Sequence, residues 1–242
     1  MSAVQSMKTA DGKVIEHVAE TRFGVWFLGT ATWTTHVLTR AIKDLERLIP
    51  ERKASYPVVV DVGCGWGRSF ALLNDRFAPQ QLIGIDVEPE MLAISAKTIA
   101  DKGLKVELKQ GDSAALPLAD QSADLLFCHQ TFHHLVHQHE ALAEFNRVLK
   151  PGGVLLFAES TKAYIHSWII RLLFRHPMDV QRTAPEFLAM IRDAGFEIQE
   201  KSISYPFLWW SRSDLGIFER IFRIRPRANH EETLINLVAI KR

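Results

Sequence analysis

The residues of this chain best placed to do chemistry are three aspartates and a histidine-rich loop. Asp61 stands two residues before Gly63-Cys64-Gly65-Trp66-Gly67, a run with glycine at alternate positions. Only a backbone without Cβ passes close to a ligand or adopts positive φ at little cost. The β-branched stretch Val58-Val59-Val60 before this loop and Arg68-Ser69-Phe70 after it read as a buried strand turning tightly into a helix. A second apolar stretch, Leu82-Ile83-Gly84-Ile85, ends in Asp86 and Val87. A carboxylate at that point can accept two hydrogen bonds from a ribose diol at the C-terminal edge of a parallel sheet. A pyrophosphate-binding turn follows G-x-G-x-x-G, whereas this chain has Gly63-x-Gly65-x-Gly67 with an acid beside it. Such a loop suits a cation better than a pyrophosphate.

The second concentration of chemistry is His129-Gln130-Thr131-Phe132-His133-His134-Leu135-Val136-His137-Gln138-His139, with five histidines in eleven residues. His133 and His137 would share a face if this segment were helical, yet no acid or cysteine joins them at ligand spacing, so no metal is expected. Imidazole titrates near neutrality, which suits His133 or His134 to general-base work. The competing reading is one packed histidine followed by solvated ones at the start of a helix. Glu159, at the end of a later strand, is the next candidate base or else the cap of the following turn.

The elements that must position these groups alternate. Strands are predicted over 58–62, 82–86, 105–109, 123–128, 153–158, 196–205 and 233–241, and helices over 33–49, 68–77, 89–101, 138–149 and from 184 to Gly195. Pro50 stops the first helix, Pro89 opens the third, and Thr183-Ala184-Pro185-Glu186 is a capping box. Alternation of this kind gives an α/β, doubly wound, mostly parallel sheet of seven strands in one domain, residues 1–242. Residues 1–50 are expected to form a helical cap, and 160–182 and 206–230 to be insertions on the substrate side. A net charge of +1 over 242 residues carries no global signal for nucleic acid or membrane. The polar start lacks a leader's apolar core, no run is long enough to span a bilayer, and Cys64 and Cys128 read as a reduced pair opening on one crevice, so a cytoplasmic protein is expected.

Asp61-x-Gly63-Cys64-Gly65-x-Gly67, Asp86, Gly111-Asp112-Ser113-Ala114-Ala115-Leu116-Pro117 and Leu149-Lys150-Pro151-Gly152-Gly153-Val154-Leu155 occur in the order found in class I S-adenosylmethionine-dependent methyltransferases, which the chain resembles over about half its length. The resemblance implies a Rossmann-like sheet whose last strand is antiparallel. It implies S-adenosylmethionine bound at Asp61, Gly63, Cys64, Gly65, Gly67, Asp86, Val87, Asp112, Ser113, His129 and Gln130, with S-adenosylhomocysteine as product. Asp61 would orient the loop, reach the donor's amino group or cap the turn. Asp112 would meet the adenine or act as a helix cap. The Asn/Asp-Pro-Pro-aromatic motif of DNA amino-methylating enzymes is missing after the fourth strand.

Aromatic residues crowd 23–28, 164–175 and 207–210, which hold Trp26, Trp168, Trp209 and Trp210. They fit a lid over a flat or lipid-like acceptor, a homodimer interface, or core packing. Residues 205–230 carry five arginines against two acids, suited to anionic headgroups or RNA, or simply to a solvated face. Methylation of a small, largely apolar metabolite at O, N or C is therefore expected, with nucleic acid disfavoured and peripheral membrane contact left open. The rivals are RNA or protein methylation and a donor-binding scaffold without turnover.

Overall fold

The computed structural model describes residues 5–8, 14–17, 21–206, 221–223 and 232–242. Two short strands, β1 (Gln5–Lys8) and β2 (Val14–His17), form an antiparallel hairpin ahead of the cap. Both strands fall within residues 1–50, for which a helical cap was expected. The helical part runs through α1 (Arg22–Leu28), α2 (Ala31–Trp33), a π-helical turn over Thr34–Leu38 and α3 (Thr39–Leu48). Thr21 and Thr30 cap α1 and α2 by accepting from Gly24 N and Trp33 N. The predicted helix over 33–49 is thus interrupted by one widened turn.

The main sheet takes β3 (Val58–Val62), β4 (Gln81–Asp86), β5 (Glu107–Gln110), β6 (Ala123–His129) and β7 (Leu149–Ser160), with β8 (Phe196–Glu197), β9 (Ile203–Ser204) and β10 (Leu234–Lys241). The order is β5-β4-β3-β6-β7-β10-β8, and β9 also pairs with β10. The first five strands are mutually parallel and β10 runs antiparallel to β7 and β8. This is the doubly wound, mostly parallel sheet expected. The predicted strand over 196–205 is corrected: a 3-10 turn at Glu200–Ser202 splits it into β8 and β9, so the sheet counts eight strands in seven positions.

Period-two alternation sends the strand side chains to two cores. Val60, Val62, Leu126, Leu155 and Phe157 pack with Leu142 and Phe145 of α6 (Gln138–Val148) and Phe187 and Ile191 of α9 (Ala184–Asp193). Val59, Leu125, Phe127 and Leu156 pack with Ile42 and Leu45 of α3 and with Phe70 and Leu73 of α4 (Phe70–Phe77). α5 (Pro89–Lys102) begins on its proline and ends at Gly103, φ +61°. The segment between β7 and α9 holds α7 (Lys162–Ile165), α8 (Trp168–Leu173) and a 3-10 turn at Met178–Val180. α9 carries the expected capping box, Glu186 N donating to Thr183 Oγ1 and Thr183 N to Glu186 Oε2. Among the described residues no helix is long and apolar enough to cross a membrane.

Candidate active site

Asp61, Asp86, His129 and Glu159 all lie in the C-terminal halves of parallel strands β3, β4, β6 and β7, so the topology gathers them at one sheet edge. The turn after β3 is built around glycines that serve different ends. Gly63 (φ +73°) lies so near the Thr131 side chain that a Cβ would overlap it. Gly65 (φ +50°) faces open space, with no atom within 4 Å of where a Cβ would stand. Gly67 would strike the Phe70 ring, at 2.6 Å, with any Cβ. The close packing of Gly63 and Gly67 holds the turn in shape while Gly65 leaves room above it.

That room opens into a cavity. Asp61, Gly63, Cys64, Gly65 and Ser69 from the turn, His129, Gln130 and Thr131 from the end of β6, and Leu28 and Trp33 from the cap all line it. Asp61 accepts a short hydrogen bond from Ser69 Oγ, which ties the end of β3 to the start of α4. Desolvation raises its carboxyl to about 7, against the lowering effect of Ser69, with the Asp86 charge adding to the rise. Asp86 Oδ2 accepts from Gly65 N at 2.8 Å and Oδ1 from Glu88 N at 3.0 Å. Its pKa is raised by desolvation and lowered by these bonds. The Val87 carbonyl accepts from Gln110 Nε2.

His129 lies flat on Phe127, ring centroids 5.7 Å apart, with the Trp33 edge against it at 5.4 Å. Burial lowers its pKa to about 4, and its Nε2 is buried without a partner among the described residues. Gln130 takes φ +53° and its Oε1 accepts from Ser160 Oγ at 2.6 Å. Asp112 and Ser113 line neither this cavity nor the next. Asp112 Oδ1 accepts from Ala114 N, a turn-capping bond. Cys64 lines the cavity, but Cys128 is buried beside Glu159, 3.7 Å from Oε1, so the expectation that both thiols open on one crevice is corrected.

A second cavity shares Leu28, Trp33 and Gln130 with the first. Its walls are apolar (Phe27, Val37, Ile170, Phe174) except for Ser160, Tyr164, His133, His134 and His176. His133 and His134 lie in a 3-10 turn over Phe132–His134, not on a helix face shared with His137. Glu159, fully buried, accepts from Thr131 N and Phe132 N through Oε1 at 2.9 and 2.8 Å, and meets His133 Nδ1 through Oε2 at 2.6 Å. It therefore caps the turn, one of the two roles considered for it, and also fixes the imidazole ring, which was not foreseen. His176 reaches the pair from beyond α8, 5.1 Å from His133 and 4.8 Å from His134 by ring centroids. Desolvation drives the His134 pKa well down, and His176 to about 2, with the neighbouring imidazoles adding to both.

Sequence reasoning missed His176, Trp33 and Leu28. His176 follows an apolar helix with no local motif, and Trp33 reads as the start of an ordinary amphipathic helix. The tryptophans at 209 and 210 and most of the arginine-rich stretch over 205–230 lie outside the described residues.

An acid behind a glycine turn, a cradle that a Cβ would fill and an orphaned buried imidazole nitrogen suit a nucleoside bearing a cationic chain. Residues 60–157 match a family profile described as a methyltransferase domain. A demethylmenaquinone methyltransferase of Deinococcus radiodurans is 32% identical over 120 residues, 49% of this chain and 50% of the relative. A trans-aconitate 2-methyltransferase of Azoarcus sp. is 37% identical over 117 residues, 48% and 44% of the two. The chain thus spans about half the length of these relatives. The solved YcgJ protein of Bacillus subtilis superposes with a TM-score of 0.63 at 22% identity, over 84% of this chain and 99% of that one, a likeness of fold.

Proposed function

We propose that residues 60–157, which match a methyltransferase-domain profile, form a class I, S-adenosylmethionine-dependent domain and that the protein methylates a small, largely apolar acceptor. The observation that carries this reading is the pair of cavities that share Gln130, Leu28 and Trp33 in their walls: one built on the glycine turn, the other largely apolar with imidazoles at its floor. When bound, S-adenosylmethionine supplies a methyl group on a sulfonium and leaves as S-adenosylhomocysteine. Gly63, Cys64, Gly65 and Gly67 would let the backbone follow the donor, with Asp86 and Val87 toward its ribose and Asp112 and Ser113 toward its base. His129 and Gln130 separate donor from acceptor, and Trp33 closes over both. Alignment by such walls can supply about 7–11 kcal/mol in favourable cases.

His133 is the base for an acceptor proton, its Nδ1 anchored on Glu159 so that Nε2 is left for the acceptor. His134 and the Tyr164 hydroxyl complete the polar floor. The relatives named for demethylmenaquinone and trans-aconitate support a small acceptor over RNA or protein. Incubating labelled donor with metabolite extracts tests the reading. Label is expected in a small organic-soluble product, and His133→Ala is expected to slow its formation by about 10²–10⁴-fold while S-adenosylhomocysteine affinity holds. Label appearing in RNA, with binding that weakens steeply as salt rises, would replace this reading with the nucleic-acid one.

A further inference from the structure

The floor of the acceptor cavity is chemically unusual. One ligating nitrogen from each of His133, His134 and His176 lies within 4.8 Å of the others. His133 and His176 are buried and His134 is half-buried. Three packed imidazoles are a costly arrangement for a wall that has only to be apolar. Among the described residues neither the His134 nor the His176 ring makes a hydrogen bond, while the His133 ring does so through Nδ1 to a buried carboxylate. A ligating histidine commonly gives its second ring nitrogen to a carboxylate, which fixes the tautomer and aims the other nitrogen. Glu159 holds His133 in that manner, and Glu159 is itself locked by Thr131 N and Phe132 N.

We propose that His133, His134 and His176 bind one divalent first-row transition ion of the zinc type, leaving a coordination position open to the acceptor cavity. Three imidazoles and an open position are the donor set of a catalytic zinc site, and imidazole does not suit magnesium or calcium. Zinc–nitrogen bonds of about 2.0–2.1 Å need nitrogens about 3.3 Å apart in a tetrahedron. The cluster therefore has to close by somewhat more than an ångström, within reach of side-chain rotation in the half-buried His134 and in His176, which stands on a non-helical stretch. The cation would offset the carboxylate of Glu159 behind it. The open position would take an acceptor hydroxyl, whose proton leaves to solvent once its oxygen is coordinated. With the ion bound His133 Nε2 is a ligand, and without it the same nitrogen is the base described above. This assignment of the open position rests on reading the cavity as the acceptor's; the ion site itself does not.

Titration of the chelator-treated full-length protein with Co²⁺, read by visible absorption, tests the site. One equivalent per chain with the intense bands of tetrahedral cobalt, displaced by Zn²⁺, is expected. His176→Ala and His134→Ala should each abolish stoichiometric binding, and Glu159→Gln should weaken it by about 10–100-fold. S-adenosylhomocysteine titrated into the same variants reports on the other cavity and on folding, and should bind His176→Ala as it does the parent. Wild-type protein that binds S-adenosylhomocysteine but no cobalt overturns the metal site and leaves the methyltransferase reading intact. Equal cobalt binding by both histidine variants also overturns it. Cobalt binding that needs all three histidines, in a protein that ignores S-adenosylhomocysteine, upholds the site and overturns the donor reading.

Discussion

At the scale of single residues, Asp61 shows what a buried acid beneath the glycine turn costs in stability. Its carboxyl is buried and raised from 3.8 to about 7, chiefly by desolvation. Between those values the folded chain holds a proton that the unfolded chain has released. Stability therefore falls as pH rises through this window, by at most about 1.4 kcal/mol per pH unit, and levels off above it. Asp61→Asn has no such proton. Thermal melts of the two proteins at pH 5 and pH 8 should show the variant gaining on the parent by several degrees at the higher pH. A difference that stays constant with pH would mean that Asp61 is ionised throughout. His129 lines the same cavity as a buried imidazole lowered to about 4, its Nε2 without a hydrogen-bond partner among the described residues, so above pH 5 it offers a neutral ring to whatever fills the cavity.

At the scale of elements, the turn after β3 separates shape from space. Gly63→Ala forces a Cβ into Thr131 at a positive φ, and Gly65→Ala adds only the conformational strain, about 1–2 kcal/mol. Chemical denaturation should find Gly63→Ala less stable by more than about 2 kcal/mol, while Gly65→Ala loses less stability yet most of its S-adenosylhomocysteine affinity. Equal donor binding by Gly65→Ala would mean the ligand lies elsewhere. β3, β4, β6 and α9 were legible because each states itself locally: β-branched runs, terminal acids, a capping box. The break between β8 and β9 was missed although it leaves a mark: Phe196 and Ile198 fall on one parity and Ile203 and Tyr205 on the other, and the 3-10 turn at Glu200–Ser202 lies across that slip. The widened turn at Thr34–Leu38 left no trace, since the apolar spacing read from Leu38 onward begins where that turn ends. Thr39 Oγ1 donating to Thr34 O at 2.8 Å is a bond no periodicity reveals.

At the scale of the whole molecule, the parallel sheet and the acids at its edge were readable because strands alternate with helices in the sequence and Asp61 and Asp86 stand at strand ends. The acceptor side was not, because it is assembled from distant pieces. Thr21 Oγ1 donates to Leu173 O, Phe23 and Phe27 meet Phe174, and His176 arrives from the same insertion. Arg68 reaches Gly29 O at 2.8 Å, tying the cap to the glycine turn. Donor binding should accordingly slow hydrogen exchange over 22–38 as well as 61–70. Protection confined to 61–70 would show the cap to be independent of the site. The most direct test of the account is calorimetric titration of S-adenosylhomocysteine into the full chain, its Asp86→Ala variant and Asp86→Asn, which keeps a carbonyl acceptor. Hydrogen bonds to a charged group contribute about 1.5–3 kcal/mol each, so the parent should bind one equivalent and Asp86→Ala should lose affinity by at least about tenfold, with Asp86→Asn between them. Unchanged affinity in both folded variants, or tighter binding of a nicotinamide dinucleotide by the parent, would contradict it.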